Sequence, residues 1–252
     1  MHRAFNITDC EWNTQRESGY AILERNRDDL RKSLEPFITG HIVDGTKLTD
    51  HWFPTIAADV FISHSRSDRE SAIKCAGWLK TEFDLEPFID SCVWGHAEEL
   101  LRIIDNDYCL NADRQTYSYR KRNRSTSHVH MMLSSALSAM LDATECVFFI
   151  KTDNSISSEE SVYRTQSPWL FFELGTMKII RRRKPARMNP LIENFARGEI
   201  KASRYYEAEY EIPLSELTRL DHNQLLEWCE TCELAQAKQK DALDMLYELA
   251  PE

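Results

Sequence analysis

Glycine and proline are scarce in this 252-residue chain, at seven and eight residues. Collagen-like and loop-dominated architectures are thereby excluded. Long apolar runs are missing too. No stretch approaches the roughly 18–20 residues of a membrane-spanning helix. Met1-His2-Arg3-Ala4-Phe5-Asn6 holds no signal-peptide core, and no membrane partner is expected. Nor is there a surplus of positive charge. With 41 acidic against 31 basic residues the formal charge is −10, which argues against a general binder of nucleic-acid phosphates. The seven cysteines are odd in number and mostly isolated, unlike the even set of a secreted disulfide framework. A cytoplasmic location with reduced thiols is expected.

What is present fits a globular protein, with 42% hydrophobic and 29% charged residues. The length suits one domain with extensions, or two small domains. Charge is spread unevenly. Residues 207–252 carry twelve acidic and three basic side chains, whereas residues 57–206 are close to neutral. Three regions follow: a helical extension over 1–56, a central domain over 57–206, and an acidic helical region over 207–252.

Residues 17–38 show helical spacing of Tyr20, Leu23, Leu30, Leu34 and Phe37, ahead of a turn-rich stretch from Gly40 to Asp50. Ala57-Ala58-Asp59-Val60-Phe61-Ile62 reads as a strand that turns polar at Ser63-His64-Ser65. A helix over 67–83 follows, opened by a Ser67/Glu70 capping-box pattern. Glu86–Asp90 is a second strand, followed by a loop through Trp94 and Gly95. Val129, Met132, Leu133, Ala136, Leu137, Met140 and Leu141 mark a helix over 128–141. Cys146–Ile150 is a third strand, with a polar loop from Lys151 to Gln166. Ser167 and Pro168 then suit the cap and first turn of another helix. Glu209–Leu214 is a possible edge strand, and Asp221 with Gln224 caps a C-terminal helix. Apolar strands alternating with helices predict a parallel sheet covered on both faces. In such sheets ligands bind beyond the carboxyl ends of the strands.

Glu173 stands out chemically, as the sole ionisable side chain between Ser167 and Met177 in an otherwise apolar helix. Trp169, four residues earlier, shares its face. A carboxylate on a buried helix must be paired, protonated, or turned toward a cleft. A structural ion pair and a catalytic site are both consistent with that pattern.

Asp59-Val60-Phe61-Ile62-Ser63-His64-Ser65, Phe88-Ile89-Asp90 and Ser167-x-Trp169-x-x-x-Glu173 together resemble, in order, the three signature blocks of the TIR (Toll/interleukin-1 receptor) family. The resemblance spans residues 57 to about 190 and is nearest to bacterial TIR proteins, including the signalling enzymes of Thoeris-type anti-phage defence. It implies a flavodoxin-like doubly wound parallel sheet, here with N- and C-terminal helical extensions. It also implies cleavage of the nicotinamide–ribose bond of NAD by Glu173, with NAD as substrate and no bound cofactor. The ADP-ribose product would be hydrolysed, cyclised or conjugated, and sensed by a downstream effector. Trp169, Ser63, His64, Ser65, Arg66 and Asp90 match positions lining the substrate cleft. The segment with Trp94 matches the family's mobile loop, and TIR–TIR contacts imply a homo-oligomer. One carboxylate can suffice, because nicotinamide departs as a neutral base and the remaining task is to stabilise an oxocarbenium-like transition state.

The chain departs from a compact TIR domain by an insertion at about 102–127. It carries Arg114, Arg120, Lys121, Arg122 and Arg124, and Arg120 is the candidate there for contact with the pyrophosphate. Lys178 to Arg187 reads as cations favoured at a helix C-terminus. Cys229 and Cys232 form a lone C-x-x-C without further ligands, and His128 and His130 are wrongly spaced on a helix, so no metal site is expected. Ser63-His64 lacks a nucleophile elbow. The rival function is a TIR interaction scaffold without chemistry. Glu173 argues against it, since adaptor-type members commonly lack a carboxylate there.

Overall fold

The computed structural model describes residues 1–8, 10, 16–25, 34–39, 42–152, 157–159, 162–165, 167–185, 187, 210–211, 214 and 217–251. In chain order the elements are β1 (Arg3–Thr8), α1 (Arg16–Arg25), β2 (Ile38–Thr39), β3 (Ile42–Val43), α2 (Gly45–Trp52), β4 (Val60–Ser63) and α3 (Arg69–Phe83). Next come β5 (Pro87–Ile89), α4 (Ser91–Ile104), α5 (Tyr119–Ala143), β6 (Cys146–Lys151), β7 (Ser157–Glu159), β8 (Val162–Thr165) and α6 (Pro168–Ile179). The last are β9 (Tyr210–Glu211), β10 (Thr218–Leu220), α7 (His222–Ala235) and α8 (Lys240–Leu249).

An all-parallel five-stranded sheet in the order β10-β1-β6-β4-β5 forms the centre of an α/β protein. Its middle is apolar: Val60, Phe61, Ile62 and Cys146 to Phe149 have no exposure. Fully burying one such phenylalanine contributes about 1.5–3 kcal/mol. The chain moves outward from β4 through α3 to β5, then crosses back through α4 and α5 to β6. Right-handed crossovers therefore place helices on both faces. The strand order reverses between β4 and β6, the position at which ligands bind in sheets of this kind. Among the described residues no helix is long and apolar enough to cross a membrane.

The first residues differ from the expected helical extension. Arg3–Thr8 is a buried sheet strand, pairing with β6 at Ile7–Ile150 and with β10 at Phe5–Thr218. Two of its polar residues find distant partners: Arg3 donates to the Tyr247 carbonyl and to Thr218 Oγ1, and Thr8 Oγ1 accepts from Arg219. Within the expected 17–38 helix, α1 ends at Arg25, residues 26–33 lie outside the described set, and Glu35–Phe37 is a 3-10 turn. Gly19 lies where α1 meets α3, because a Cβ there would sit 1.9 Å from the Ile73 carbonyl oxygen. The stretch expected as turns contains α2, whose N-cap Asp44 accepts from the Lys47 amide.

Two further expectations are corrected. The segment after Asp90 is no loop, since α4 begins at Ser91 and buries Cys92, Val93, His96, Ala97 and Leu100. The 102–127 insertion is largely helical. It comprises the end of α4, a π-helical turn over Asp105–Cys109, a short turn, and the start of α5. Asp105, 5% exposed, accepts from Arg122 Nε and Ser125 Oγ, both at 2.7 Å, which pins that turn to α5.

The acidic C-terminal region is built into the fold. β10 is an edge strand, and Asp221 and Gln224 form the expected capping box. Trp228 of α7 stacks on Phe83 of α3 with ring centres 3.9 Å apart and donates to the Ala242 carbonyl at 2.7 Å. Arg187, at the end of the expected basic run, makes hydrogen-bonded ion pairs with Glu145 and Asp244. Tyr210–Glu211, inside the expected Glu209–Leu214 strand, pairs with β8 in a separate antiparallel sheet; Glu209, Ile212 and Pro213 lie outside the described residues.

Candidate functional site

Three elements deliver side chains to one end of the sheet. Ser63 is the last residue of β4 and His64 follows it, Asp90 follows β5, and Glu173 lies in the second turn of α6. The start of α6 is fixed locally, as expected. Ser167 Oγ accepts from the Leu170 amide at 3.3 Å and Pro168 takes the first helical position. That geometry turns Glu173 inward, onto the end of β4.

Glu173 is fully buried. Its Oε2 accepts a hydrogen bond from Ser63 Oγ at 2.6 Å, and its carboxyl lies close enough to that of Asp90 to feel its charge. Asp90, equally buried, accepts from the His64 amide on Oδ2 at 3.2 Å. Its Oδ1 lies 3.0 Å from His64 Nε2, an ion-pair contact. His64 Nδ1 is 2.5 Å from the Ser65 carbonyl and Nε2 is 2.9 Å from Ser91 Oγ. The consecutive residues Ser63 and His64 thus each hold one carboxyl group.

Charge follows from this packing. Burial, then the neighbouring Asp90 charge and the hydrogen bond between the two carboxyls, push Glu173 well above its ordinary value, outweighing the bond from Ser63. Burial opposes a charged His64. The Asp90 charge and hydrogen bond, with the Ser65 carbonyl, outweigh it and raise the imidazole pKa above 6.5. The packing therefore favours the neutral form of Glu173 and the charged form of His64.

The other expected site residues divide. Trp169 is half-buried one turn before Glu173, edge-on to His130 with ring centres 5.4 Å apart. Ser65 turns away from Glu173, since its Oγ donates to Asp68 Oδ2 at 2.5 Å. Arg66 is exposed and pairs with Glu98 of α4 at 2.6 Å. Arg120 is exposed on the first turn of α5, and no contact joins it to Glu173. Trp94 lies in α4 rather than in a loop, with its side chain outside the described residues.

Two participants were missed. Ser91 touches His64, and Asp68 accepts from both Ser65 and Thr152, the latter at 2.7 Å. Asp68 thereby bridges the segments that follow β4 and β6. The signal for Asp68 was available: an acid five residues after a strand end, in a segment otherwise read only as a helix start.

Among the described residues no group of three or more His, Cys, Asp or Glu side chains is placed to hold a metal ion. Fold and site together define an α/β protein with a buried carboxyl pair at the turning point of its sheet. Compared with protein-family models, curated proteins and solved structures, the chain has no match in any of the three.

Proposed function

We propose that this protein is a TIR-type enzyme that cleaves the nicotinamide–ribose bond of NAD, with Glu173 as the catalytic carboxylate. The observation carrying this reading is convergence. Residues from all three signature blocks, Ser63 with His64, Asp90, and Glu173, meet in one hydrogen-bonded cluster at the carboxyl ends of the strands. The order β5-β4-β6 also corresponds to the first three places of a flavodoxin-like sheet, although β1 fills the fourth.

In this reading the ionised Glu173 faces the ribose while the glycosidic bond breaks. It stabilises positive charge developing on the sugar, and nicotinamide leaves with the bonding pair as a neutral base. The ADP-ribosyl group is then captured by water, by its own adenine, or by another acceptor. Because Glu173 is fully buried, the described arrangement is a resting one. Turnover requires α6 to part from the ends of β4 and β5, so activity depends on a trigger such as self-association. A cytoplasmic signalling role in bacterial immunity, with an effector reading the product, accompanies this assignment.

The complete burial of Glu173 favours one rival, an interaction module that never opens. Incubation of the concentrated chain with NAD, with and without phage-infected lysate, separates the two. Free nicotinamide is expected from the native chain, with a loss of roughly 10²-fold or more in Glu173→Gln. Equal turnover by both proteins would refute the assignment, and no turnover by either would leave the scaffold.

A further inference from the structure

Four side chains stand in one line across the sheet at its carboxyl end. Ser63 of β4 is in register with Phe149 of β6, Phe149 with Asn6 of β1, and Asn6 with Arg219 of β10. In-register residues of parallel strands point to the same face. Ser63, bonded to Glu173, marks that face as the one beneath α6. One step further along the strands, Thr8 is in register with Lys151, and Thr8 Oγ1 accepts from Arg219 Nε at 3.2 Å. At about 4.8 Å between strands, Asn6 lies about 10 Å from Ser63 and Arg219 about 14 Å. An acid thus stands at one end of the row and a cation at the other, with Lys151 as a second cation beside Thr8.

Asn6 is the unusual member. It is 8% exposed, yet its Oδ1 has no hydrogen-bond donor among the described residues. A buried amide oxygen without a donor is rare and destabilising, and such local costs are kept where function requires them. α6 covers this face, since its Leu174 and Met177 line one pocket with Ala4 of β1 and Leu217. The parting of α6 that would expose Glu173 therefore uncovers Asn6 as well. Arg219 is exposed and Lys151 partly so, and an anion can reach both before α6 moves.

We propose that Asn6, Lys151 and Arg219 form a subsite for a ribose diphosphate, with Asn6 Oδ1 accepting from a ribose hydroxyl and the two cations holding the phosphates. The inference rests on the NAD reading for what lies at the Glu173 end of the row. NAD has a cationic ring at one end and a dianionic diphosphate between its two riboses. Its charges run in the same sense as the row, positive at Glu173 and negative at Lys151 and Arg219. The guanidinium can grip two phosphate oxygens at once, and the ammonium adds a compact point charge. β1 and β10 come from the two ends of the chain, outside the stretch that resembles a TIR domain. The phosphate contact expected of Arg120 thus passes to Arg219 and Lys151.

Calorimetric titration of the full chain with ADP tests the subsite without any turnover. Saturable binding is expected, weakened about ten-fold or more in Arg219→Ala and in Lys151→Ala by the loss of charge-assisted hydrogen bonds. Arg219→Lys should recover part of that loss, since it keeps the charge without the fork. Asn6→Leu should also weaken ADP binding, while its urea midpoint rises or stays level because the orphaned acceptor is gone. No ADP binding by the native chain would overturn the proposal, and so would an affinity unchanged across the variants. In NAD turnover the same substitutions should raise KM more than they lower kcat; a fall in kcat alone would mark a merely structural effect and count against the subsite. ADP binding without release of nicotinamide keeps the subsite and removes the NAD assignment. Nicotinamide release with KM unchanged in the variants does the reverse.

Discussion

Replacing Glu173 with glutamine should make the protein more stable, increasingly so as pH rises. The folded chain keeps a proton on Glu173 to higher pH than the unfolded chain, which releases it near the ordinary value of 4.5. A group whose folded pKa is raised contributes stability that is complete below the unfolded pKa and is lost as pH climbs toward the folded one. The loss runs at about 1.4 kcal/mol per pH unit while the folded state stays protonated. Glutamine is nearly isosteric with the neutral acid. Its carbonyl can accept from Ser63, its amide can donate to Asp90, and it has no proton to lose. Urea denaturation of both proteins from pH 5 to pH 8 is the assay. The stability difference should grow in favour of Glu173→Gln with a slope of about 1.4 kcal/mol per pH unit. His64 also loses stabilising charge as pH rises through its raised pKa, but that term is common to both proteins and cancels to first order. A difference independent of pH would show that Glu173 ionises normally, and the description of the site would fail with it.

Other perturbations probe the scaffold. Gly19→Ala places a methyl group against the backbone of Ile73 and should force α1 away from α3; a loss of about 1–3 kcal/mol by chemical denaturation is expected, and an unchanged midpoint would contradict that close approach. Arg187→Ala removes the guanidinium paired with both Glu145 and Asp244, leaving Glu145 its bond from Tyr247, and should cost about 1–3 kcal/mol at pH 7. Burial opposes the charge on Glu145, but the Arg187 bonds prevail and hold its pKa below 4.5. That stabilisation is present above pH 4.5 and lost as pH falls through the folded value. The variant's deficit should therefore shrink in acid, and a deficit constant down to pH 3 would count against the pairing.

The parts of the fold that could be read from the chain are those written in local pattern. β4, β5 and β6 are short apolar runs with polar ends, and the α6 and α7 starts are declared by Ser167-Pro168 and by Asp221 with Gln224. β1 escaped because Arg3, Asn6 and Thr8 give it a polar look. The burial of Arg3 is made tolerable by Tyr247 and Thr218, more than 200 positions away. The first turns of α5 carry no apolar period, and their place is set by Asp105 through Arg122 and Ser125. α4 was different: its apolar spacing was present, but the segment through Trp94 and Gly95 was read as a loop, and the family's mobile loop reinforced that reading. For the site, the ordered blocks pointed to Ser63, His64, Asp90 and Glu173, which meet. They could not reveal that Ser65 and Arg66 turn to other partners, because Asp68 and Glu98 compete for those side chains only in three dimensions.

The seating of β1 between β6 and β10 has a consequence for how the chain matures. Ile7 must wait for Ile150, and Phe5 for Thr218. At about 5–20 residues per second, β1 leaves the ribosome roughly 7–30 s before the strand it must lie against. Until then its apolar side chains have no sheet to join. The elements that build the carboxyl cluster, from β4 to α6, are all synthesised before β10. The carboxyl cluster can therefore take shape while the far edge of the sheet is still being made.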